Sequence, residues 1–285
     1  GWNIAPSYPP FPHGRSPWEF RFDPADHDFS EKTFLGETGN WNGDDIIRIV
    51  CEQPATARFL ARHLYNYFVA DEPQIPAWRL TPPRDQKAIE AMEKAYYDSD
   101  HSIKAMLELL FTSDFFKDDS VRYQKVKNPT EMVVSLIRMT GEFKGYQPGL
   151  FEASQEPKYM GMDLMNPPTV EGWHTGREWI DSGTLVERIN FASDMLGNTE
   201  LEGVRSLVNR MMGLGAKLTP EQFVNGCLDL TGPVQVTTDT MGQLIAHASQ
   251  EGDLSHGNAS EQSEFTRRTG EMFQMIAATA EFQFE

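Results

Sequence analysis

Cysteine is scarce in this chain, and with it the means to build a disulfide or thiolate framework. Of 285 residues only Cys51 and Cys227 are cysteines, far apart and in no Cys-x-x-Cys pair. A structural zinc site made of thiolates is thereby excluded. Cys51 follows Ile46, Ile47, Ile49 and Val50 on an apolar helix face. Free cysteine buries readily, so a buried thiol is expected there rather than a disulfide. Long apolar runs are missing too; nothing approaches the roughly 20 residues that cross a bilayer as a helix. Positive charge is also short. Lys and Arg number 25 against 42 Asp and Glu, giving a net charge of −17 and a pI near 4.8. Phosphate backbones select basic stripes, and the acids around Arg58, Arg62 and His63 cancel the best candidate, so a nucleic-acid partner is not expected. The chain also lacks Gly-x-Ser-x-Gly, Gly-x-x-x-x-Gly-Lys and His-Glu-x-x-His. Serine-elbow hydrolases, P-loop nucleotide enzymes and helical zinc proteases therefore find no support.

What is present reads as helix. Hydrophobic residues make up 39% and charged residues 24%, the balance of an ordinary globular chain. Residues 1–43 are rich in Pro, Gly, aromatics and acids, with no sustained period beyond a short strand around Trp18–Phe22. From residue 44 the pattern changes. Asp44 or Asp45 offers an N-cap to an amphipathic helix through Val50, and Pro54 opens a second helix with Phe59, Leu60, Leu64, Tyr67 and Phe68 on a broad apolar face. Further helices are expected near 84–98, from Ser102, from Asn128-Pro129-Thr130-Glu131, and near 184–195, 201–212, 219–229, 234–249 and 259–280. The expected architecture is all-α, a multi-helix domain at 44–285 with few or no strands. Two long irregular loops, 1–43 and 142–183, interrupt it. Leu109–Phe115 also echoes Ile276–Phe282: an apolar helix end, a small residue, an acid and Phe.

Two loops gather the chemistry. Asp23, Asp26, His27, Asp28 and Lys32 crowd one segment bracketed by Pro24 and Gly36. Asp23, Asp26, His27 and Asp28 form a donor set acceptable to a divalent metal such as Zn²⁺, Mn²⁺ or Fe²⁺, although the spacing matches no calcium loop. His27 oriented by Asp28, with Lys32 or Arg58 as an electrophilic stabiliser, makes an alternative acid–base site. The structural alternative is that the acids cap turns, that Lys32 pairs with one of them, and that Arg58 makes a salt bridge. Glu131 at a helix start is most simply a partner of the helix dipole. The second loop holds Trp173, His174 and Trp179 among glycines. They form either a sugar or peptide platform or a plug for the core, with the indole N–H bonded to backbone.

Several segments together carry a resemblance. Gly1-Trp2, His27-Asp28 with Lys32, Leu35-Gly36, Pro54–Leu64, Ser113–Phe116, Lys127–Glu131, Pro167–Trp173 and Glu281-Phe282-Gln283 resemble, in order, the bacterial family catalogued as domain of unknown function 1800. Ser30 and His63 depart from the usual pattern, which commonly has glycine and lysine there. The resemblance implies a mainly helical fold and places this chain in the C-terminal portion of the domain. It also implies export, to the periplasm or beyond. The implied protein partner is of the sulfatase-like family catalogued as domain of unknown function 1501. The function expected on these grounds is a helical scaffold or binding protein acting with a protein partner; the alternative is a metal-dependent or acid–base enzyme centred on His27.

Overall fold

The computed structural model describes residues 1–6, 18–143, 145–232 and 234–284. Thirteen α-helices, four short 3₁₀ helices and three small two-stranded sheets account for the regular structure among them, so the chain is mainly α. It divides into two compact units, Gly1–Tyr65 with Asp85–Phe116, and Asn66–Arg84 with Lys117–Glu285. The composition break at residue 43 falls inside the first unit.

The first unit begins with an antiparallel ribbon, β1 (Trp2–Pro6) and β2 (Trp18–Phe22). Trp2 lies opposite Phe22, Ile4 opposite Phe20 and Pro6 opposite Trp18. Directly opposed residues share a face, so one face carries these six and the other carries Asn3, Ala5, Glu19 and Arg21. A second hairpin pairs β3 (Lys32–Phe34) with β4 (Glu37–Gly39). Its turn residues Leu35 and Gly36 both have positive φ, 48° and 89°, the backbone twist that tight hairpins need.

Helix α1 (Gly43–Glu52) starts earlier than Asp44 or Asp45 as cap would place it. Asn42 is the cap: its Oδ1 accepts from the amides of Asp44 and Asp45 at 2.8 and 3.3 Å, and Asp45 returns a bond to the Asn42 amide at 3.0 Å. Residues three apart can satisfy each other's amides in this way, an advantage that Asp44 and Asp45 lack. Then come α2 (Pro54–Phe68), α3 (Gln86–Asp98), α4 (Ile103–Thr112) and the short α5 (Asp114–Lys117). Ile49, Ala57, Ala61, Ile89, Met92, Met106 and Leu110 are buried. Two tyrosine hydroxyls of α3 donate to the last carbonyls of α1, Tyr96 to Cys51 at 3.1 Å and Tyr97 to Glu52 at 3.4 Å. Those carbonyls have no partner within their own helix.

The second unit contains α6 (Pro129–Thr140), α7 (Leu150–Tyr159), α8 (Ser182–Gly197), α9 (Glu202–Met212), α10 (Pro220–Thr231), α11 (Thr238–Ser249), α12 (Ala259–Ala277) and α13 (Ala280–Gln283). β5 (Lys217–Leu218) pairs with β6 (Leu254–Ser255). Helix α12 runs along α8 and also packs on α9, α10 and α11. Met132, Leu136, Phe191, Leu207, Phe223, Phe265, Phe273 and Ile276 share one buried core. Cys227 is buried in it and Cys51 is half-buried; both thiols are free. Helix α7 lies within the stretch 142–183 expected to be irregular. Only Ala153 and Pro157 of it are buried, and Pro157 interrupts its interior, so its sequence carries almost no apolar period.

At the start of α6, Asn128 and Glu131 exchange bonds to each other's amides at 2.7 and 3.0 Å. Glu131 is thus a reciprocal cap as well as a charge at a helix start. Helix α9 has no cap of its own; the Glu142 carboxylate accepts from the Gly203 amide at 3.0 Å. The sequence echo has a structural counterpart, one residue out of step. Ser113 and Thr279 each end a helix, each bond back to the carbonyl three residues earlier at 2.6 and 2.7 Å, and each accept from a Phe amide, of Phe116 and Phe282, at 3.3 Å. Residues 282–284 are latched across the unit. Val126 bridges to Phe284, the Lys127 amide donates to Gln283 at 3.0 Å, and Lys127 Nζ donates to the Phe282 carbonyl at 2.6 Å. Arg188 Nε reaches Gln283 Oε1 at 2.7 Å.

Candidate functional site

In the first unit, three of the residues expected to be reactive, Asp23, Asp28 and Lys32, bond to nearby backbone. Asp23 caps a single 3₁₀ turn by accepting from the Ala25 amide at 3.0 Å, and Asp28 accepts from Ser30 at 2.9 Å. These are turns that aspartate forms through its own side chain. The bond from the Ser30 backbone, with a further one from its hydroxyl, holds the Asp28 carboxyl below the usual range. Lys32 Nζ donates to the backbone carbonyls of Asp28 and Ser30, the latter at 3.0 Å. His27 is one ring in an aromatic series, 5.4 Å from Phe22 and 4.6 Å from Phe29 between centroids. Arg58 pairs with Glu93 of α3 at 2.8 Å on a partly exposed face, not with an acid of the first loop. No three His, Cys, Asp or Glu side chains converge among the described residues. Asp23, Asp26, His27 and Asp28 are therefore not gathered as a ligand set, and the Asp23 and Asp28 carboxylates are committed to turns.

The second unit contains the more organised concavity. Asp71 anchors it: its amide donates to the Gln124 carbonyl at 3.1 Å and its carboxylate accepts from the Val126 amide at 2.8 Å. Gln74 donates from Nε2 to the Thr175 carbonyl at 2.9 Å, tying two segments a hundred residues apart. Gly176 follows at φ +63°, and a Cβ there would meet the Asp71 carboxylate at 3.3 Å. A glycine is suited to both demands. Glu72 is buried; its amide donates to Asn66 and its Oε1 accepts from the Arg84 amide, both at 2.7 Å.

Two compartments lie side by side on this wall. One, of about 420 Å³, is lined by Glu72, Gln74, Arg84, Gln124, Arg177 and Glu178. The other, of about 300 Å³, is lined by Tyr67, Lys125, Glu131, Glu171, Trp173 and His174. Asp71, Val126, Thr175 and Gly176 line both. Trp173 is set by a tight turn in which the Gly172 amide donates to Thr169 at 3.1 Å, and its indole N–H donates to the Asp163 carbonyl at 3.2 Å. Lys158 first, then Asn166, hydrogen-bond the Asp163 carboxyl and hold it below the usual range. Trp173 is half-buried at the compartment edge, whereas Trp179 is buried. His174 Nδ1 contacts the Glu178 carboxylate, which orients the ring.

The family model described as protein of unknown function (DUF1800) matches residues 1–284. The chain belongs to that family. No curated protein and no solved structure matches it. In this DUF1800 chain the resemblance segments do local structural work: Leu35-Gly36 makes a hairpin turn, Asn128–Glu131 a reciprocal cap, and Thr169–Trp173 the turn that sets an indole. Asp71, Gln74 and Gly176 escaped the sequence reading. Their roles depend on partners far along the chain; the one local sign was a glycine inside the tryptophan loop.

Proposed function

We propose that this DUF1800 chain is a binding protein acting with a protein partner, and that its second unit receives an extended, basic segment of that partner. The observation that carries this reading is the shared wall of Asp71, Val126, Thr175 and Gly176 between two open compartments. A single compact ligand would occupy one compartment. An extended chain crossing the wall places one side chain in each, as alternate residues of an extended peptide do. The lining contains the acids Asp71, Glu72, Glu131, Glu171 and Glu178 against Arg84, Lys125 and Arg177, an excess that favours a cationic guest. Trp173 supplies a flat apolar contact whose position is fixed before binding, which reduces the ordering cost.

The partner class implied by resemblance, the sulfatase-like family catalogued as domain of unknown function 1501, is the first to test, in the periplasmic or external setting that export implies. Titration calorimetry with extended Arg/Ser peptides and their Glu/Ser counterparts checks the site itself. Binding of the Arg/Ser series alone is expected, weakened about tenfold by Trp173→Ala, the scale of a well-placed aromatic anchor. Equal binding of both series, or no effect of Trp173→Ala, would refute the reading.

A further inference from the structure

The ribbon of the first unit has an apolar face far larger than a small hairpin needs. Trp2, Ile4, Phe20 and Phe22 share it by register, and Trp2 and Phe20 meet edge to face at 5.1 Å between centroids. The aromatic series continues from Phe22 through His27 to Phe29. Trp2, Ile4, Phe20, Phe22 and Phe29 are each between 40% and 66% exposed. With roughly 150–250 Å² on each aromatic side chain, their exposed parts amount to on the order of 500 Å². That is at the upper end for a patch on a monomer, about 300–600 Å². It also supplies most of the roughly 800 Å² that each side of a standard protein interface buries. One edge of the face is already used, because the Trp2 ring lies against Gly43, where a Cβ would fall 2.0 Å from it; the rest stays exposed.

The surroundings select the occupant. Asp26 and Asp28 flank His27 in the aromatic series, and residues 23–32 hold four acids against the single basic residue Lys32, His27 aside. The Lys32 ammonium is spent on backbone carbonyls. A second copy seated by two-fold symmetry would bring the same acids face to face. An anionic leaflet would repel them. We propose that this face docks a protein partner presenting an apolar patch rimmed by Lys and Arg, independently of the cavity in the second unit.

The test uses the full chain and two short amphipathic peptides with one apolar face of Leu, one carrying Lys on its polar face and the other Glu. The Leu/Lys peptide is expected to bind. Ile4→Ser combined with Phe20→Ser should weaken it about tenfold or more, while Glu19→Gln, on the opposite face, leaves it unchanged. Because the double variant can disturb the ribbon, Asp26→Lys with Glu31→Lys serves as a second variant that keeps the apolar face. It should turn the preference towards the Leu/Glu peptide. Survival of Leu/Lys binding in the double variant, equal affinity for both peptides, self-association lost on Phe20→Ser, or partition of the parent onto phosphatidylcholine vesicles would each overturn the assignment.

Discussion

Glu281 shows how one carboxylate joins two elements. Its Oε1 accepts from the Thr237 amide and the Thr240 hydroxyl, both at 2.8 Å, so α13 completes the N-terminal cap of α11. Burial alone would raise its pKa, but bonds from the backbone amides of Thr237 and of Glu281 itself and from the two threonine hydroxyls outweigh it and hold the value below the usual range. A carboxyl depressed in the folded state contributes stability that is complete above the unfolded pKa. That contribution is lost as pH falls through the folded one. Glu281→Gln should therefore cost about 1 kcal/mol at pH 7, the usual scale of a lost cap. The difference between parent and variant should shrink as melts are taken at pH falling through the carboxylate range; a gap that stays constant would disprove the account. At this scale the sequence was partly legible. The acid-Phe-Gln end stood out as a motif, but the residues it serves lie some forty positions earlier. The cluster at 23–32 was visible because its residues are neighbours. What Asp23, Asp28 and Lys32 do, bonding backbone amides and carbonyls within a few residues, is equally local.

Helix crossings depend on small residues at particular points. Gly203, at the start of α9, sits against the end of α6 so closely that a Cβ would lie 1.0 Å from the Thr140 carbonyl oxygen. Backbone cannot yield as a flexible side chain does. Gly203→Ala should cost about 2–3 kcal/mol, near the top of the range for overpacking, and denaturant titration measures it directly. A change below about 0.5 kcal/mol, ordinary for a surface site, would contradict the crossing. Helix starts were partly legible: Asn128-Pro129-Thr130-Glu131 opens α6 where its order suggests, with a reciprocal cap added, whereas the cap of α1 lies at Asn42 rather than Asp44 or Asp45. Helix α7 was not legible, because little of it is buried and burial is what writes periodicity into sequence. β1 was missed for a different reason. Trp-Asn-Ile-Ala-Pro alternates, yet its partner strand begins twelve residues after it ends, too far for a tight-turn signal.

For the whole molecule, charge and order of synthesis matter most. A net charge of −17 opposes compaction through self-repulsion, which salt screens. Local ion pairs such as Arg267 with Glu251, Glu264 and Glu271 weaken with salt, but 42 acids against 25 bases leave repulsion dominant. The melting temperature should rise by a few degrees between about 10 and 200 mM NaCl; a fall would show that the pairs prevail. The latch at residues 282–284 has a consequence in time. The strand bridge of Val126, both bonds of Lys127 and the one guanidinium bond of Arg188 wait on residues that leave the ribosome some 95 to 158 positions later. During translation the core of the second unit is held unfinished, with its Arg188 unanchored, until residue 284 has emerged. A nascent chain paused before that point lacks every one of these contacts.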